Sequence, residues 1–581
     1  MALIPKGPYR GMVFVMNRDE RVIAEWPVGG GTRYVFQCYA IVDPGSNLLG
    51  GIRCRNFLLP IAAYGPVGGP LPTAPAVQDL FCSGHAWSPF GDLIVVGGTD
   101  YLPSGGAGYH GGILTYAWNP RLAVGAWPLG GGGQFYDPTS PLVFFGLWQR
   151  GPDLQHRRWY PTATLTHRLS RAPAANPLSP PRERMLVFGG TEAVPALPSP
   201  LPPALEARNS YEALVIEGEA LANFLALSVD DQTVGATTVR TWIGCGTTGG
   251  TTSVDWPDEY PRCHLLSNGK LFFSGYAPRG AWLDHDGSPG LWTQVANQPG
   301  QPAGTFSANW QAERHDGSAV LFPNLGDTRD QILRVGGANG FTGPTTATTE
   351  SIDAGSSSAT WVEPGASDMP ATGTLPDGGR AFVSLVILPT GALLAVGGQH
   401  QGTTNTPVYH PLLFEDGKWF ILPANPIPSR RTYHSAPVLL ADGRVFIGGG
   451  DDRDYDYEIF SPAYLDDPAN RPVNPVWQAP VPFVDPRYDA YVLQRDSTYA
   501  IDFAALPLGQ TITKAVLMAP GSVTHHSDMS QRYVELKTGV TNGNQVTFST
   551  DRPETVVPRG IYMLFFVSNT SVSEAIWVMF Q

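Results

Sequence analysis

The 581-residue chain contains no uninterrupted apolar run of the length that a membrane-spanning helix needs, which predicts a soluble protein. Positive charges are in the minority, with 37 Lys and Arg against 50 Asp and Glu and a formal net charge of -13. Such a surface offers no general attraction for nucleic acid or anionic lipid. We therefore expect neither nucleic acid nor a membrane among its partners.

Cysteines are few, and none of the five lies in a CxxC pair, so that neither a zinc ribbon nor a thioredoxin-type motif is supported. In an oxidising compartment Cys38 could pair with Cys54, and Cys245 with Cys263, which would leave Cys82 alone. Alternatively, these four cysteines could be buried free thiols that pack as small apolar side chains, which is about equally consistent with the sequence. The spacing leaves both alternatives open.

Helical periodicity is also nearly absent, and short β-branched segments that end in glycine recur instead. Several follow a tight turn, as in SNGKLFF and ADGRVFI, which is typical of a hairpin leading into a buried strand. This repeat predicts a kelch-type β-propeller built from small antiparallel sheets. The segments are LIVVGGT at 93–99, MLVFGGT at 185–191, KLFFSGY at 270–276, ILRVGGA at 332–338, LLAVGGQ at 393–399 and VFIGGGD at 445–451.

The N-terminal segment, with MVFVMNRDERVIAEW and YVFQCYAIVD, provides strands for one further sheet. We therefore predict a seven-bladed propeller over residues 1–468. The glycine-ended pattern then stops, and regularly spaced strands such as KAVLMAPGSVTHH and GIYMLFFVSN follow. Their spacing predicts an immunoglobulin-like β-sandwich over residues 469–581, so that the fold class is all-β.

Tyr433 and His434 are adjacent at the start of a strand, in RRTYHSAPVLL. A phenol oxygen beside an imidazole nitrogen provides half of a site of the kind that copper(II) prefers, although such a pair alone is more typical of packing. Cys82, in FCSGH, precedes its glycine-ended strand by an interval similar to that of Tyr433, and Tyr160, in RRWYPTATL, lies before the next such strand, MLVFGG. Because the innermost strands of a propeller line its channel, we expect these residues to converge, with His525 reaching them from the C-terminal domain.

Together these segments resemble the galactose oxidase and glyoxal oxidase group of copper radical oxidases over nearly the whole chain. Two further segments, YPRCHLLSNGKLFFSG and ERHDGSAVLFP, look closer to the glyoxal oxidase branch. The segments that carry the resemblance, in the order of the group, are FCSGH with LIVVGG, RRWYPTATL, RTYHSAPVLLADGRVFIGGG with EIFSPAYL, GSVTHHSDMSQR and GIYMLFFVSN.

The resemblance implies one copper ion bound by Tyr160, Tyr433, His434 and His525, with water or a substrate oxygen at the remaining position. Tyr160 would be joined through a ring carbon to the sulfur of Cys82, and this thioether-crosslinked tyrosine would hold a radical. Copper changes by one electron, whereas oxidation of an alcohol removes two, so the radical would supply the second. Tyr433 would accept the hydroxyl proton and Tyr160 a hydrogen atom, and dioxygen would leave as hydrogen peroxide.

One departure from galactose oxidase concerns the tryptophan that covers the crosslink there, since TEAVPALPSPLPPALEARNSYEALV contains none. Trp310 is our candidate for the cover, although a core position explains it equally well. Arg314, which follows it, is our candidate for orienting a substrate oxygen. His526, His85 and His156 are expected to orient ligands or lie at the surface.

Three functions remain open. The first is a copper radical oxidase that converts a primary alcohol or sugar hydroxyl to an aldehyde. The second is a glyoxal oxidase-like enzyme that converts a small hydrated aldehyde to a carboxylic acid. The third is a non-catalytic kelch platform that binds protein or glycan. The complete set of five site residues argues against the third, since a scaffold needs none of them.

The N-terminus, MALIPKGPYRGMVFVMN, lacks the apolar core and small-residue cleavage site of a secretion signal. Either the sequence is that of a mature or trimmed protein, or the protein stays inside the cell. The group that it resembles is largely extracellular, so we expect a secreted monomer that acts on small molecules and O2. The single glycosylation sequon, Asn569-Thr570-Ser571, is compatible with a bacterial source.

Overall fold

A computed structural model shows that the regular secondary structure of the described residues is almost wholly β-strand, which confirms the all-β prediction. Within the described ranges, helix occurs as two three-residue 3-10 turns, Ala463–Leu465 and Pro468–Asn470. No described helix is long and apolar enough to cross a membrane. The structure describes residues 1–7, 9–26, 32–44, 55–66, 78–101, 109–127, 142–150, 153–154, 156–166, 183–190, 210–216, 227–230, 240–241, 259–275, 280–285, 291–295, 314–322, 330–338, 343–356, 358–362, 375–402, 405–422, 427–450, 456–506, 509–539 and 544–581.

Up to residue 460, the described strands are grouped mainly in seven small antiparallel sheets. In chain order the strands are β1 (Ala2–Leu3), β2 (Val13–Trp26), β3 (Thr32–Val42), β4 (Arg55–Pro66), β5 (Gln78–Asp79), β6 (Gly84–Trp87), β7 (Leu93–Val96), β8 (Thr99–Tyr101), β9 (Tyr109–Gly111), β10 (Thr115–Trp127), β11 (Leu142–Arg150), β12 (Thr162–Leu165), β13 (Glu183–Phe188), β14 (Ser210–Ile216), β15 (Leu227–Asp230), β16 (Arg240–Thr241), β17 (Cys263–Leu265), β18 (Leu271–Phe273), β19 (Ala281–Asp284), β20 (Leu291–Gln294), β21 (Ser318–Leu321), β22 (Gln331–Val335), β23 (Thr349–Asp353), β24 (Ser384–Ile387), β25 (Leu393–Val396), β26 (Gln399–His400), β27 (Thr406–Pro407), β28 (Leu412–Glu415), β29 (Lys418–Ile421), β30 (Ala436–Leu439), β31 (Val445–Gly448) and β32 (Tyr457–Phe460).

The seven sheets have the strand orders β1-β2-β3-β4, β11-β10-β7-β6, β12-β13-β14-β15 with β16 beside β14, β17-β18-β19-β20, β21-β22-β23, β24-β25-β28-β29 and β30-β31-β32. Two minor sheets, β5-β8-β9 and β26-β27, lie in the connections. Each of the six glycine-ended segments found in the sequence contains all or most of the second strand of a sheet. We number the sheets one to seven in this order.

The C-terminal strands form one nine-stranded sheet, with the order β33-β36-β41-β40-β37-β42-β43-β35-β34. It folds over on itself, because ring centroids from distant strands approach each other: Phe503 lies 5.3 Å and Phe548 5.8 Å from Phe566. The strands are β33 (Val473–Trp477), β34 (Val484–Asp485), β35 (Ala490–Leu493), β36 (Thr498–Ala505), β37 (Ile512–Met518), β38 (Val523–Thr524), β39 (Ser527–Asp528), β40 (Tyr533–Thr538), β41 (Gln545–Ser549), β42 (Gly560–Ser568) and β43 (Ile576–Phe580), of which β38 and β39 form a separate hairpin.

The chain divides into two compact units, which differ from the predicted domains. The first comprises Met1–Ala163, Arg171–Thr241 and Asp258–Tyr260, and it holds the first two sheets and most of the third. The second comprises Thr164–Ser170, Trp242–Pro257 and Pro261–Gln581, with sheets four to seven and the nine-stranded sheet. The domain boundary between residues 468 and 469 stays a prediction.

A buried arginine precedes the first strand of several sheets and binds the glycine cluster after the second strand. Nη1 of Arg431 donates to the carbonyl of Gly449 at 2.6 Å, and Arg314 bonds in the same way to Gly336 at 2.9 Å. Each guanidinium also meets a carboxylate, which balances its buried charge. The ion pairs are Arg158 with Glu212, Arg314 with Glu350, Arg380 with Asp377, and Arg431 with Glu458.

The glycine clusters also join neighbouring sheets. The N–H of Gly398 donates to the carbonyl of Arg431 at 2.7 Å, and that of Gly337 donates to the carbonyl of Arg380 at 2.7 Å. Gly397 has φ +67°, and a Cβ there would lie 2.3 Å from the Arg431 oxygen. Only glycine fits such a close approach in this conformation. The repeated glycines are therefore needed at the contact between sheets.

Cys263 lies in β17 and carries a free thiol, so a disulfide with Cys245 is not formed. Burial raises the pKa of this thiol, and a hydrogen bond with Thr164 partly offsets that effect. Cys54 and Cys245 lie outside the described residues, as does the side chain of Cys38. The alternative pairing of Cys38 with Cys54 stays a prediction.

Candidate metal centre

Four residues of interest occupy equivalent turns that lead into the first strands of their sheets. Cys82, Tyr160, Asp316 and Phe382 each lie two residues before such a strand begins. Their φ values are all positive, at 62°, 62°, 58° and 60°. This left-handed conformation is uncommon for residues other than glycine and often marks functional positions. The same strained turn is thus repeated in four sheets.

Tyr433, His434 and His525 form a compact group in the second unit. The ring centroids of Tyr433 and His434 are 4.4 Å apart, those of Tyr433 and His525 4.9 Å, and those of His434 and His525 4.7 Å. His525 is buried, whereas the other two side chains are half-buried. The structure therefore brings three of the four predicted copper ligands together.

His525 follows β38 in the hairpin that β38 and β39 form. Its Nδ1 lies 2.7 Å from Oγ1 of Thr524, an arrangement that orients the ring. His525 and His526 both have positive φ, at 45° and 56°. Two consecutive left-handed residues turn the chain sharply, so the ring of His525 depends on the backbone of its neighbour.

The hairpin is fixed by Asp528 and Gln531. Oδ1 of Asp528 accepts three backbone N–H groups of its own loop at distances of 2.9 to 3.0 Å. The amide of Gln531 then bonds to β24, because its Oε1 accepts the N–H of Ile387 at 2.6 Å and its Nε2 donates to the carbonyl of Leu385 at 3.2 Å. The sixth sheet therefore holds the histidine loop in place.

His526 lies next to the group formed by Tyr433, His434 and His525, which we call the Tyr433 group. Its side chain is fully buried. Its ring centroid is 6.5 Å from that of Tyr433 and 5.8 Å from that of Phe382. Burial, and then the charge of Arg262, hold its pKa well below the ordinary value, so the imidazole is neutral. Nε2 lies 3.7 Å from Oδ1 of Asp316, too far for a hydrogen bond, and within the described residues neither ring nitrogen has a hydrogen-bond partner.

Tyr160 and Cys82 are neighbours in the first unit. The N–H of Tyr160 donates to the carbonyl of Cys82 at 3.1 Å, and both side chains are buried. Two rings lie against Tyr160: the centroid of Trp159 is 4.3 Å away, and that of Tyr260 is 5.0 Å away in an edge-on orientation. The hydroxyl of Tyr260 donates to the carbonyl of Ser83 at 3.2 Å. Sequence reasoning missed Tyr260, although it opens the segment YPRCHLLSNGKLFFSG that carries part of the resemblance.

Arg314 and Trp310 are the remaining predicted site residues. Trp310 lies outside the described part of the chain. Arg314 is buried: Nη1 donates to the carbonyls of Gly336 and Thr348 at 2.9 Å each, and Nη2 bonds to Oγ1 of Thr348 at 2.5 Å and to Glu350. These bonds give Arg314 a structural task in the fifth sheet. Its role in orienting a substrate stays a prediction.

His264, two residues after Arg262, gives a testable pH dependence of stability. Burial, followed by the charges of Arg532 and Arg262, lowers its pKa to about 3, and its Nε2 lies 2.7 Å from Oγ of Ser274. Between about pH 6.5 and 3 the unfolded chain binds a proton at this residue and the folded chain does not, so stability falls as the pH drops. Because a single proton is involved, the slope is at most about 1.4 kcal/mol per pH unit.

A His264→Gln variant should therefore lose less stability on acidification than the parent, since glutamine does not titrate and retains a partner for Ser274. Urea midpoints measured at several pH values between about 3 and 7 test this. Equal slopes for the two proteins would contradict the expectation.

The donor set of the Tyr433 group fits copper(II). Two imidazole nitrogens and one phenol oxygen are nitrogen and oxygen donors of the type that this ion accepts. Among the residues that the structure describes, no group of three or more His, Cys, Asp or Glu side chains is arranged to hold a metal ion. Tyr433 offers a third donor beside His434 and His525, and a bound divalent cation favours the phenolate form.

Residues 485–580 match the family model "Galactose oxidase-like, Early set domain". Galactose oxidase of Gibberella zeae is 29% identical over 272 residues, which cover 44% of this chain and 36% of that protein. Aldehyde oxidase GLOX of Vitis pseudoreticulata is 29% identical over 353 residues, which cover 55% of this chain and 61% of that protein. The match thus spans about a third of the first relative and three fifths of the second.

Among solved structures, a fungal alcohol oxidase of the AA5 family in complex with copper aligns with 100% of this chain and 96% of its own, with a TM-score of 0.61 and 17% identity. At that identity the likeness concerns the fold alone. The resemblance that the sequence segments predict is confirmed: this chain is related in sequence to galactose oxidase and to aldehyde oxidase of the GLOX type, and it has the fold of a copper-containing oxidase.

Proposed function

We propose that the protein is a mononuclear copper radical oxidase. It removes two electrons from a primary alcohol or sugar hydroxyl to give an aldehyde, and it reduces O2 to H2O2. The observation that carries the proposal is the contact of Tyr433, His434 and His525, two imidazoles and a phenol from separate segments of the chain. The relationship to two kinds of oxidase supports the same reaction class.

His434 and His525 hold the copper ion in this proposal, the latter through Nε2 because Nδ1 faces Thr524. Oη of Tyr433 would bind this ion as a phenolate and would accept the hydroxyl proton of the substrate. A free phenol has a pKa of about 10, so the cation is what keeps this oxygen ionised at neutral pH. When bound, copper supplies a one-electron oxidant, and the second equivalent comes from a tyrosyl radical.

We assign that radical to Tyr160, crosslinked to Cys82 through a thioether. Their backbone hydrogen bond holds the two residues side by side, and burial shields the ring from solvent. Oη of Tyr160 takes the hydrogen atom from the substrate carbon. Trp159 and Tyr260 flank the ring and are suited to cover it, and Trp310 remains a candidate for that role.

The same proposal includes the identity of the two domains. The seven small sheets are the blades of a kelch-type propeller over residues 1–468, and residues 469–581 form an immunoglobulin-like domain that contributes His525. The repeated left-handed turns and the glycine contacts between sheets support the propeller. The folding of the nine-stranded sheet on itself supports the sandwich.

A second candidate function is oxidation of a small hydrated aldehyde to a carboxylic acid. The sequence match to aldehyde oxidase GLOX extends over 353 residues, against 272 for galactose oxidase. A hydrated aldehyde carries a hydroxyl on the reacting carbon, so Tyr433 and Tyr160 would remove the same proton and hydrogen atom. The two functions therefore differ in the substrate and share the residues.

The crosslink is the most direct test of the proposal. Copper loading in air should lower the intact mass by two hydrogens, and peptide mapping should recover the Cys82 and Tyr160 peptides joined. A Cys82→Ser variant serves as the control, because it lacks the sulfur and should keep its full mass. Recovery of an unmodified Cys82 peptide after copper loading would contradict the proposed crosslink.

The substrate class is tested by peroxide release from galactose, benzylic and aliphatic alcohols, glycolaldehyde and methylglyoxal. Peroxide from the alcohols and galactose supports the first function, and peroxide only from the aldehydes supports the second. If the copper-loaded protein released none with any of these, both oxidase functions would be overturned in favour of a binding platform.

A further inference from the structure

We propose that Asp316 and His526 form a buried positioning pair for the copper centre. Asp316 holds the imidazole of His526, and His526 in turn fixes the backbone that carries His525 and supports the ring of Tyr433 from behind. This inference rests on the proposed copper function and assigns a task to two residues that do not bind the metal themselves.

The first argument is the burial of His526. Its side chain has 0% exposure, and within the described residues neither ring nitrogen has a hydrogen-bond partner. An unsatisfied buried polar group costs roughly 1–3 kcal/mol, so an apolar side chain would be more stable in this position. A buried polar group without a partner calls for a specific explanation. The imidazole must therefore provide something that an apolar side chain does not.

The second argument is the approach of Asp316. Its Oδ1 lies 3.7 Å from Nε2 of His526, and a movement of roughly 0.7 Å would bring the two atoms to hydrogen-bond distance. The other carboxylate oxygen lies 3.2 Å from Nδ1 of His315. An imidazole has an N–H to donate, and Oδ1 can accept it. Asp316 is thus placed to determine the orientation of the His526 ring.

The third argument is that the turn with Asp316 holds His526 at its backbone as well. Oγ of Ser318 donates to the carbonyl of His526 at 3.1 Å. Asp316 keeps its left-handed conformation because the N–H of Phe382 donates to its carbonyl at 2.7 Å. A strained residue that its surroundings hold in place is typical of a functional position. One turn therefore holds the main chain of His526 and places a carboxylate beside its ring.

The consequence for the metal follows from chain connectivity. His525 and His526 are consecutive, both are left-handed, and the ring of His526 packs near Tyr433 and Phe382. A rotation of the His526 ring would therefore disturb the peptide that carries His525. Residues that orient a metal ligand in this way typically change metal affinity by about 10- to 100-fold when they are replaced.

The test compares Asp316→Ala and His526→Leu with the parent protein, by competition of copper(II) with a chelator and by the electron paramagnetic resonance spectrum of bound copper(II). We expect each variant to bind copper about 10- to 100-fold more weakly and to shift the copper hyperfine splitting. Asp316→Asn keeps an acceptor oxygen and should restore most of the parent spectrum. His526→Gln keeps an N–H donor and should do the same.

His285→Leu is the matched control, since His285 is buried in the fourth sheet with its Nε2 3.0 Å from the carbonyl of Gly269. It should lose stability and leave the copper spectrum unchanged. If the folded Asp316 and His526 variants all gave the copper spectrum of the parent, the positioning role would be overturned. It would also be overturned if the His285→Leu control shifted the spectrum as much as they do. A parent protein that binds no copper would instead overturn the proposed function, which separates the two failures.

Discussion

A Tyr433→Phe variant is expected to retain bound copper and to lose about 10²- to 10⁴-fold in kcat, the usual contribution of a positioned proton acceptor. Phenylalanine preserves the ring that packs against Phe382, His434 and His525 at centroid distances of 4.4 to 5.1 Å. Only the oxygen is removed. The loss should therefore fall on the proton transfer from the substrate hydroxyl and leave the fold intact.

The loss in kcat is measured as the rate of peroxide production at saturating substrate. The retention of copper is measured as the copper content per chain. Tyr457→Phe is a suitable control, because Tyr457 lies in β32 of the sheet that begins just after Tyr433, and it stacks on Phe446 with centroids 4.9 Å apart. It should retain the activity of the parent. A Tyr433→Phe protein as active as the parent would show that another group accepts the proton.

The sheets were predictable because their signals are local. A hairpin turn followed by a β-branched run and a glycine pair identifies a second strand within about ten residues of sequence, as for β25 and β31. The bonds of buried arginines to these glycines were not predicted, although Arg314 was a candidate for a different role. Arg158 meets Glu212 and the carbonyl of Gly189, and Arg380 meets the carbonyl of Gly397, only because folding brings these distant groups together.

In the candidate site, too, some features have a local sequence signal and others depend on the tertiary structure. The adjacent Tyr433 and His434 are visible in the sequence as a pair, and the order of five segments indicates their partners. The left-handed backbone of Cys82 and Tyr160 is not visible, because side chains of this size rarely adopt positive φ and no local pattern requires it. Asp316 and His526 are 210 positions apart, so their approach depends on the tertiary structure alone.

An Arg431→Met variant is expected to lower the free energy of unfolding by about 3–5 kcal/mol, the cost of breaking a buried ion pair by removing one partner. The Arg431 side chain has 0% exposure. Its Nε donates to Glu458 at 2.7 Å and its Nη1 to the carbonyl of Gly449 at 2.6 Å. Methionine fills much of the space and leaves both acceptors without this donor, so the loss reflects unpaired polar groups rather than a cavity.

Arg444→Met is the matched control, because Arg444 pairs with Asp442 on the turn between β30 and β31 of the same sheet, and about a third of each side chain is exposed. An exposed pair of this kind contributes about 0–1 kcal/mol, so this variant should unfold near the denaturant midpoint of the parent. Similar denaturant midpoints for the two variants would show that the bonds of Arg431 contribute no more to stability than those of Arg444. Because Arg431 lies two residues before Tyr433 and its carbonyl binds Gly398, the Arg431 variant should also bind copper more weakly, while the Arg444 variant should not.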